Sequence, residues 1–203
     1  MSFHTYDPRD GHGLPHDPIR SIVAPRPIGW MSTVDVEGRR NLAPFSFFSV
    51  FSMKPCIIGF ASNGDKHTDL NARETGEFCF NLVGLPLAER MNRTAVEYEP
   101  EIDEFEIAEV DWLPSDVIAP PRVANTPASF ECKVTQIVDL QGLEEVTQTR
   151  LILGEAIRIH IDRQCLKDGL FDMVAAQTIA RCGYRGDYVH VDRMFEMFRP
   201  GGR

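Results

Sequence analysis

The sequence predicts a mainly β protein with short helices, an α+β chain whose strands close into a barrel of mostly antiparallel order. Three observations predict it. Short apolar runs recur at close spacing between turn residues. Ile157, Ile159 and Ile161 alternate with Arg158, His160 and Asp162, the period of a strand with one buried face. Helix-like stretches are few and short, which favours a barrel over a layered α/β fold.

The elements follow in order. Residues 1–16 are rich in Pro, Gly, His and Asp and read as an irregular arm. Asp17-Pro18 offers a cap and a first-turn proline for a short helix, which Pro25 and Pro27 end. Ile28 to Val34 and Asn41 to Phe51 read as strands joined by the turn Asp35-Val36-Glu37-Gly38. Pro55 to Ala61 is a third strand. A loop from Ser62 to His67 leads into a helix over Thr68 to Thr75, with Thr68 as N-cap and Gly76 as the terminating glycine. Phe78 to Val83 returns to strand, and Leu85 to Asn92 has helical composition. Glu97 to Asp111 is acidic with few apolar residues and reads as a solvated loop or insertion. Ser129 to Asp139 and Val146 to Asp162 are long strands, Val174 to Arg181 reads as helix, and Tyr188 to Val191 as a last strand.

The 203 residues suit one domain spanning 1–203, since a chain of that size buries roughly 70% of its unfolded surface. A net charge of −9 argues against a nucleic-acid or anionic-membrane surface. Five widely spaced cysteines, none in a Cys-x-x-Cys pair, read as reduced thiols. Met1 to Asp7 lacks the basic and apolar regions of a signal peptide, and no run is long enough to span a membrane. Cytoplasmic residence is the expectation. His4, His12 and His16 with Asp7, Asp10 and Asp17 match no compact metal spacing, so no metal site is expected. No Gly-x-Ser-x-Gly, Gly-x-Gly-x-x-Gly or Walker sequence occurs.

Two segments carry the functional signal. The loop Ser62-Asn63-Gly64-Asp65-Lys66-His67-Thr68 gathers hydroxyl, amide, ammonium and imidazole groups before a helix start. A helix N-terminus presents free N–H groups and partial positive charge, so an anion is favoured there. The competing reading is an exposed loop before an ordinary capped helix. The second segment, Ala43-Pro44-Phe45-Ser46-Phe47-Phe48, places a proline inside an apparent strand, which implies an edge or a distortion. Its phenylalanines read equally as core, and Ser46 and Asn41 as polar groups facing a ligand. A flat ring with a phosphate tail needs both kinds of surface. Arg26, held between two prolines, and Arg181-Cys182-Gly183-Tyr184-Arg185-Gly186 are further cationic elements within reach of an anion, or plain surface features. His160 reads as a surface residue.

The run Pro25-Arg26-Pro27-Ile28-Gly29-Trp30-Met31-Ser32-Thr33, then Asn41 to Phe48, Ser62-Asn63, Lys66-His67-Thr68 and Glu74 to Val83, resembles the flavin reductase-like family of FMN-binding proteins. The resemblance is dense from about Ser21 to Thr94 and thinner from Ala128 to Tyr188. It implies an FMN-binding split β-barrel, antiparallel and Greek-key-like, working as a homodimer. It implies Ser32, Thr33, Asn41, Ala43, Pro44, Phe45, Ser46 and Phe47 around the ring and ribityl chain. It implies Ser62, Asn63, Lys66, His67 and Thr68 around the phosphate. His67 stands where many relatives carry an acidic residue.

The expected function is an FMN-dependent oxidoreductase, flavin reductase-like, that takes electrons from NADH or NADPH and passes them to a small-molecule acceptor. A flavin electron carrier without a substrate site, or a cofactor-free binding barrel, are the alternatives. Hydride transfer asks no acid, base or nucleophile of the protein, so no catalytic side chain is named.

Overall fold

The computed structural model describes residues 1–198 and 200–201. In chain order it contains α1 (Ile19–Ile22), β1 (Arg26–Pro27), β2 (Gly29–Val34), β3 (Arg40–Phe45), β4 (Phe48–Met53), β5 (Cys56–Asn63), α2 (His67–Thr75) and β6 (Glu77–Leu82). Then come α3 (Ala88–Arg93), α4 (Glu104–Ile107), β7 (Trp112–Leu113), β8 (Arg122–Val123), β9 (Ala128–Gln141) and β10 (Val146–Ile161). Short strands β11 (Leu166–Lys167), β12 (Leu170–Phe171), β13 (Ile179–Arg181) and β14 (Tyr188–His190) complete it.

The main sheet has seven strands in the order β3-β2-β6-β9-β10-β5-β4, every pair antiparallel. Its two edge strands are consecutive in sequence and share the corner Ser46-Phe47. Across that corner Phe45 of β3 packs on Phe60 of β5, with ring centroids 4.7 Å apart. The sheet thus coils into a split β-barrel, as expected.

The β2–β3 hairpin shows why the sequence folds this way locally. The Asp35 side chain accepts from the Glu37 and Arg39 N–H groups at 3.0 and 2.8 Å. Gly38 supplies the positive φ of +83° that closes the turn. β2 is buried along its whole length because both of its faces are covered. Met31 points into the barrel with Ile58, Phe60, Phe78, Phe80 and Ile152. Its neighbour Trp30 points the other way, into a second core with Leu42, Val83, Met91, Phe105 and Val123. Its indole N–H reaches Thr94 Oγ1 at 2.9 Å, satisfying the only polar atom of a fully buried ring.

Five expectations are corrected. Ile157, Ile159 and Ile161 lie on a strand but not on a buried face: they are 42%, 44% and 42% exposed, where β10 runs past its pairing with β5, which ends at Glu155. Asn41 to Phe51 is not one strand: β3 pairs with β2 and β4 with β5, so the chain must turn at Ser46-Phe47 to change partners. The acidic stretch is not wholly solvated. It contains α4, capped by Asp103 accepting from Phe105 N, and Phe105, Ala108 and Val110 are buried. Val174 to Arg181 is not a helix. Asp172 caps a turn at Val174 and Ala175, Gln177 takes a positive φ of +48°, and Ile179–Arg181 is strand β13. His160 is not a free surface residue, since its Nε2 lies 2.6 Å from Glu131 Oε1.

Candidate functional site

A cleft of about 530 Å³ opens between the β3–β4 corner, the end of β5, the start of α2 and the segment at residues 94–98. That volume is in the range of a small-molecule site.

One end is the N-terminus of α2. The cap position is Lys66, two residues before the expected Thr68, and no side chain there accepts a first-turn N–H. Those donors carry the positive end of the helix dipole into the cleft. Gly76 closes the other end in a left-handed turn, as the sequence implied. Lys66 Nζ holds Glu97 Oε1 at 2.6 Å, and both side chains are well exposed. The ammonium keeps the Glu97 carboxyl below its ordinary pKa. An exposed pair of this kind is worth about 1 kcal/mol at most. A doubly charged anion can therefore take Lys66 from it. Asp65 also lines the cleft, but Arg150 binds both it and the fully buried Asp69 at 2.7 Å each. Arg150 thus offsets negative charge that would otherwise oppose an anion.

Behind this end, Asn41 Nδ2 donates to Thr68 Oγ1 at 2.8 Å and to Thr33 Oγ1 at 3.2 Å. Asn71 Nδ2 reaches the same Thr33 oxygen at 3.2 Å. These bonds tie β2, β3 and α2 together and fix the helix start against the sheet. Glu104, on α4, is buried at the cleft wall. Its Oε2 accepts from Leu42 N at 3.1 Å, satisfying an outward N–H of edge strand β3. Burial pushes the Glu104 carboxyl up.

The other end is aromatic. Phe45 is 8% exposed and packs on Phe60, whereas Phe47 is 56% exposed and presents its ring to the cleft. Pro44 is tolerated because β3 is an edge strand with no ladder partner on that side. Phe48, one position further, stacks on Phe80 at 4.7 Å inside the barrel. The aromatic run therefore divides between core and cleft.

The cleft brings together Asn41, Ala43, Pro44, Phe45, Ser46, Phe47, Asn63, Lys66, His67 and Thr68. Ser32, Thr33 and Ser62 do not line it. Ser32 is buried and donates to Pro121 O, Thr33 serves the two asparagines, and Ser62 Oγ is buried without a hydrogen-bond partner. The sequence reading missed Glu97, Tyr98 and Glu104 on the cleft wall, along with the charge-balancing Arg150. All but Arg150 lie in the stretch taken for solvent-exposed, and the only signal was Phe105 set among its acids.

A model of the "Flavin reductase like domain" matches residues 21–177. The chain belongs to the flavin reductase-like family. An uncharacterized protein of Aquifex aeolicus is 36% identical over 157 residues, covering 75% of this chain and 77% of that protein. The fold is similar to that of nitrilotriacetate monooxygenase component B from Bacillus cereus, with a TM-score of 0.88 and 24% identity over 97% of this chain and 100% of that one. It is also similar to Pseudomonas fluorescens 2-nitrobenzoate 2-nitroreductase, with a TM-score of 0.78 and 26% identity over 90% and 89%. Family membership supports a flavin-related oxidoreductase role. No helix among the described residues is long and apolar enough to cross a membrane.

Proposed function

We propose that the protein is an FMN-dependent oxidoreductase that draws electrons from NADH or NADPH and delivers them to a small-molecule acceptor. One observation carries the reading. A single cleft joins an uncapped helix N-terminus and Lys66 to the exposed ring of Phe47. A flat ring system with a phosphate tail fits that polarity, and a neutral apolar ligand leaves the α2 donors unanswered.

The residues divide the work. Lys66 and the first-turn N–H groups of α2 hold the phosphate, with His67 and Thr68 beside them. Asn63, Ser46 and Asn41 offer polar groups along the cleft between phosphate and ring. Phe45 and Phe47 provide the apolar wall that orients the ring and excludes water from it. When bound, the flavin supplies the hydride chemistry and the protein supplies position and electrostatics.

The working form is a homodimer. β4 is an edge strand, and its Val50, Phe51 and Met53 are 52%, 55% and 76% exposed. Such an edge invites a second copy of the chain.

The test is the visible spectrum of the purified protein, with chromatography of the supernatant after heat denaturation. Flavin bands that release FMN are expected, followed by bleaching on mixing with NADH or NADPH. A colourless protein that takes up no added FMN would overturn the reading. Bound flavin that neither nicotinamide bleaches would leave an electron carrier instead.

A further inference from the structure

Among the described residues, two arginines outside the phosphate end of the cleft have no counter-charge. β1 and β13 pair antiparallel with Arg26 directly opposite Arg181. Opposed residues of an antiparallel pair share a face, with their Cβ atoms about 5 Å apart, and like charges there repel. Arg26 is only 7% exposed. Among the described residues no carboxylate pairs with either side chain. Arg26 donates through Nη1 to the Arg20 and Val23 carbonyls, and Arg181 through Nη1 to Tyr188 Oη at 3.2 Å. Both Nε atoms are buried and unpartnered, as is the hydroxyl of Ser21, which lies against Gly183. Burial, then the charges of Arg181 and Arg20, pull the Arg26 guanidinium below its ordinary pKa.

A buried cation facing a second cation, with donors left over, is costly unless an anion completes the cluster. The cluster also sits beside the cleft. The Arg26 guanidinium lies 5.8 Å from the centre of the Phe47 ring, which lines the cleft.

We propose that Arg26 and Arg181, with Ser21, form a second oxyanion site that takes the carboxylate or phosphate of the molecule reacting at the Phe47 side of the cleft. The inference rests on the oxidoreductase reading for what that molecule does, but the site itself stands on the arginine pair. Planar guanidinium groups match the two oxygens of a carboxylate or phosphate. The cleft then has two anion-holding ends, Lys66 with α2 for one ligand and the arginine pair for the other. The pair selects anionic substrates over neutral ones of equal shape.

The experiment titrates the purified full-length protein with sodium pyrophosphate, with benzoate and with neutral benzamide, by calorimetry. It does so for the wild type, Arg181→Gln and Arg26→Lys. Arg181→Gln is the main variant, because Arg26 also holds the α1 carbonyls and its loss perturbs that turn. Wild-type protein is expected to bind pyrophosphate or benzoate but not benzamide. Arg181→Gln should weaken that binding about tenfold or more. Whichever oxyanion binds tighter tells whether a phosphate or a carboxylate is the natural group. Arg26→Lys keeps the charge but loses the planar fork, and an intermediate loss is expected. Equal affinity in the wild type and Arg181→Gln would overturn the site. Binding of benzamide as tight as benzoate would overturn it too. So would an Arg181→Gln protein that loses self-association but keeps wild-type affinity, since the pair would then belong to an interface. Flavin content is read separately from the spectrum. A colourless protein that still shows Arg181-dependent oxyanion binding removes the oxidoreductase reading and leaves the site.

Discussion

Glu131 and Glu104 are both buried, yet they behave oppositely. Glu131, on β9, is completely buried with both oxygens filled. Oε1 accepts from Asp116 N at 2.8 Å and lies 2.6 Å from His160 Nε2, while Oε2 accepts from Val117 N at 2.8 Å. Burial alone raises its pKa, but these bonds outweigh it and the carboxyl sits below its ordinary value. Glu104, on the cleft wall, has one backbone donor from β3 and is pushed up by burial. A saturated carboxylate is scaffold: Glu131 pins the segment at 116–117 onto the sheet. An undersupplied one lies where the chain leaves room for something else. A related contrast separates the Asp69–Arg150 pair, whose carboxylate is fully buried, from the exposed Lys66–Glu97 pair, which is easily exchanged.

The sharpest way to break the comparison is Glu131→Ala. It strands two backbone N–H groups and the His160 ring, and the expected loss is about 2–4 kcal/mol of unfolding free energy. Urea denaturation followed by tryptophan fluorescence measures it. The linkage has a definite sign. The Glu131 pKa is depressed in the folded state, so its stabilisation is present above the unfolded carboxylate value and is lost as pH falls through the folded one. A variant within about 0.5 kcal/mol of the wild type at neutral pH would mean the three contacts are not a latch.

Lys66→Ala tests the exchangeable side. A charge-assisted bond to a phosphate is worth about 1.5–3 kcal/mol. FMN binding should weaken about ten- to a hundredfold, with riboflavin much less affected, as read by flavin fluorescence quenching. Fold stability should hardly change, because the Glu97 pair is exposed. Equal losses for FMN and riboflavin would place Lys66 away from the phosphate.

Most of the barrel was readable because local pattern and tertiary demand agree there. The Asp35–Gly38 turn and Gly76 at the end of α2 each carry their own chemistry, and the alternation of Ile157, Ile159 and Ile161 marks the strand but not the face it buries, since all three are exposed. The break at Ser46-Phe47 was hidden because the phenylalanines on both sides of it favour strand and no glycine marks the corner. Only the change of partner from β2 to β5 requires the turn. Glu104 was hidden for a similar reason. A glutamate in an acidic run reads as solvated, and its burial depends on an unpaired N–H of Leu42 distant in sequence. In the site, the helix start and the aromatic corner were legible as chemistry. The neutralising role of Arg150 was not, because 81 residues separate it from Asp69.

Glu104→Gln is the smallest effect and the finest probe. Glutamine keeps an acceptor for Leu42 N and removes the charge that burial penalises. The folded pKa of Glu104 is raised, so below the unfolded carboxylate value both states are protonated and the penalty vanishes. As pH rises through the raised folded value the penalty becomes complete. Wild type and Glu104→Gln should therefore match in stability at acidic pH, and the variant should pull ahead toward neutrality, as read by thermal midpoints across the pH range. A constant offset at every pH would mean that the side chain's shape, not its charge, decides. If FMN addition erased the difference at neutral pH, the ligand would be supplying Glu104 with the donor that the free cleft lacks. Glu104 would then have become as well satisfied as Glu131.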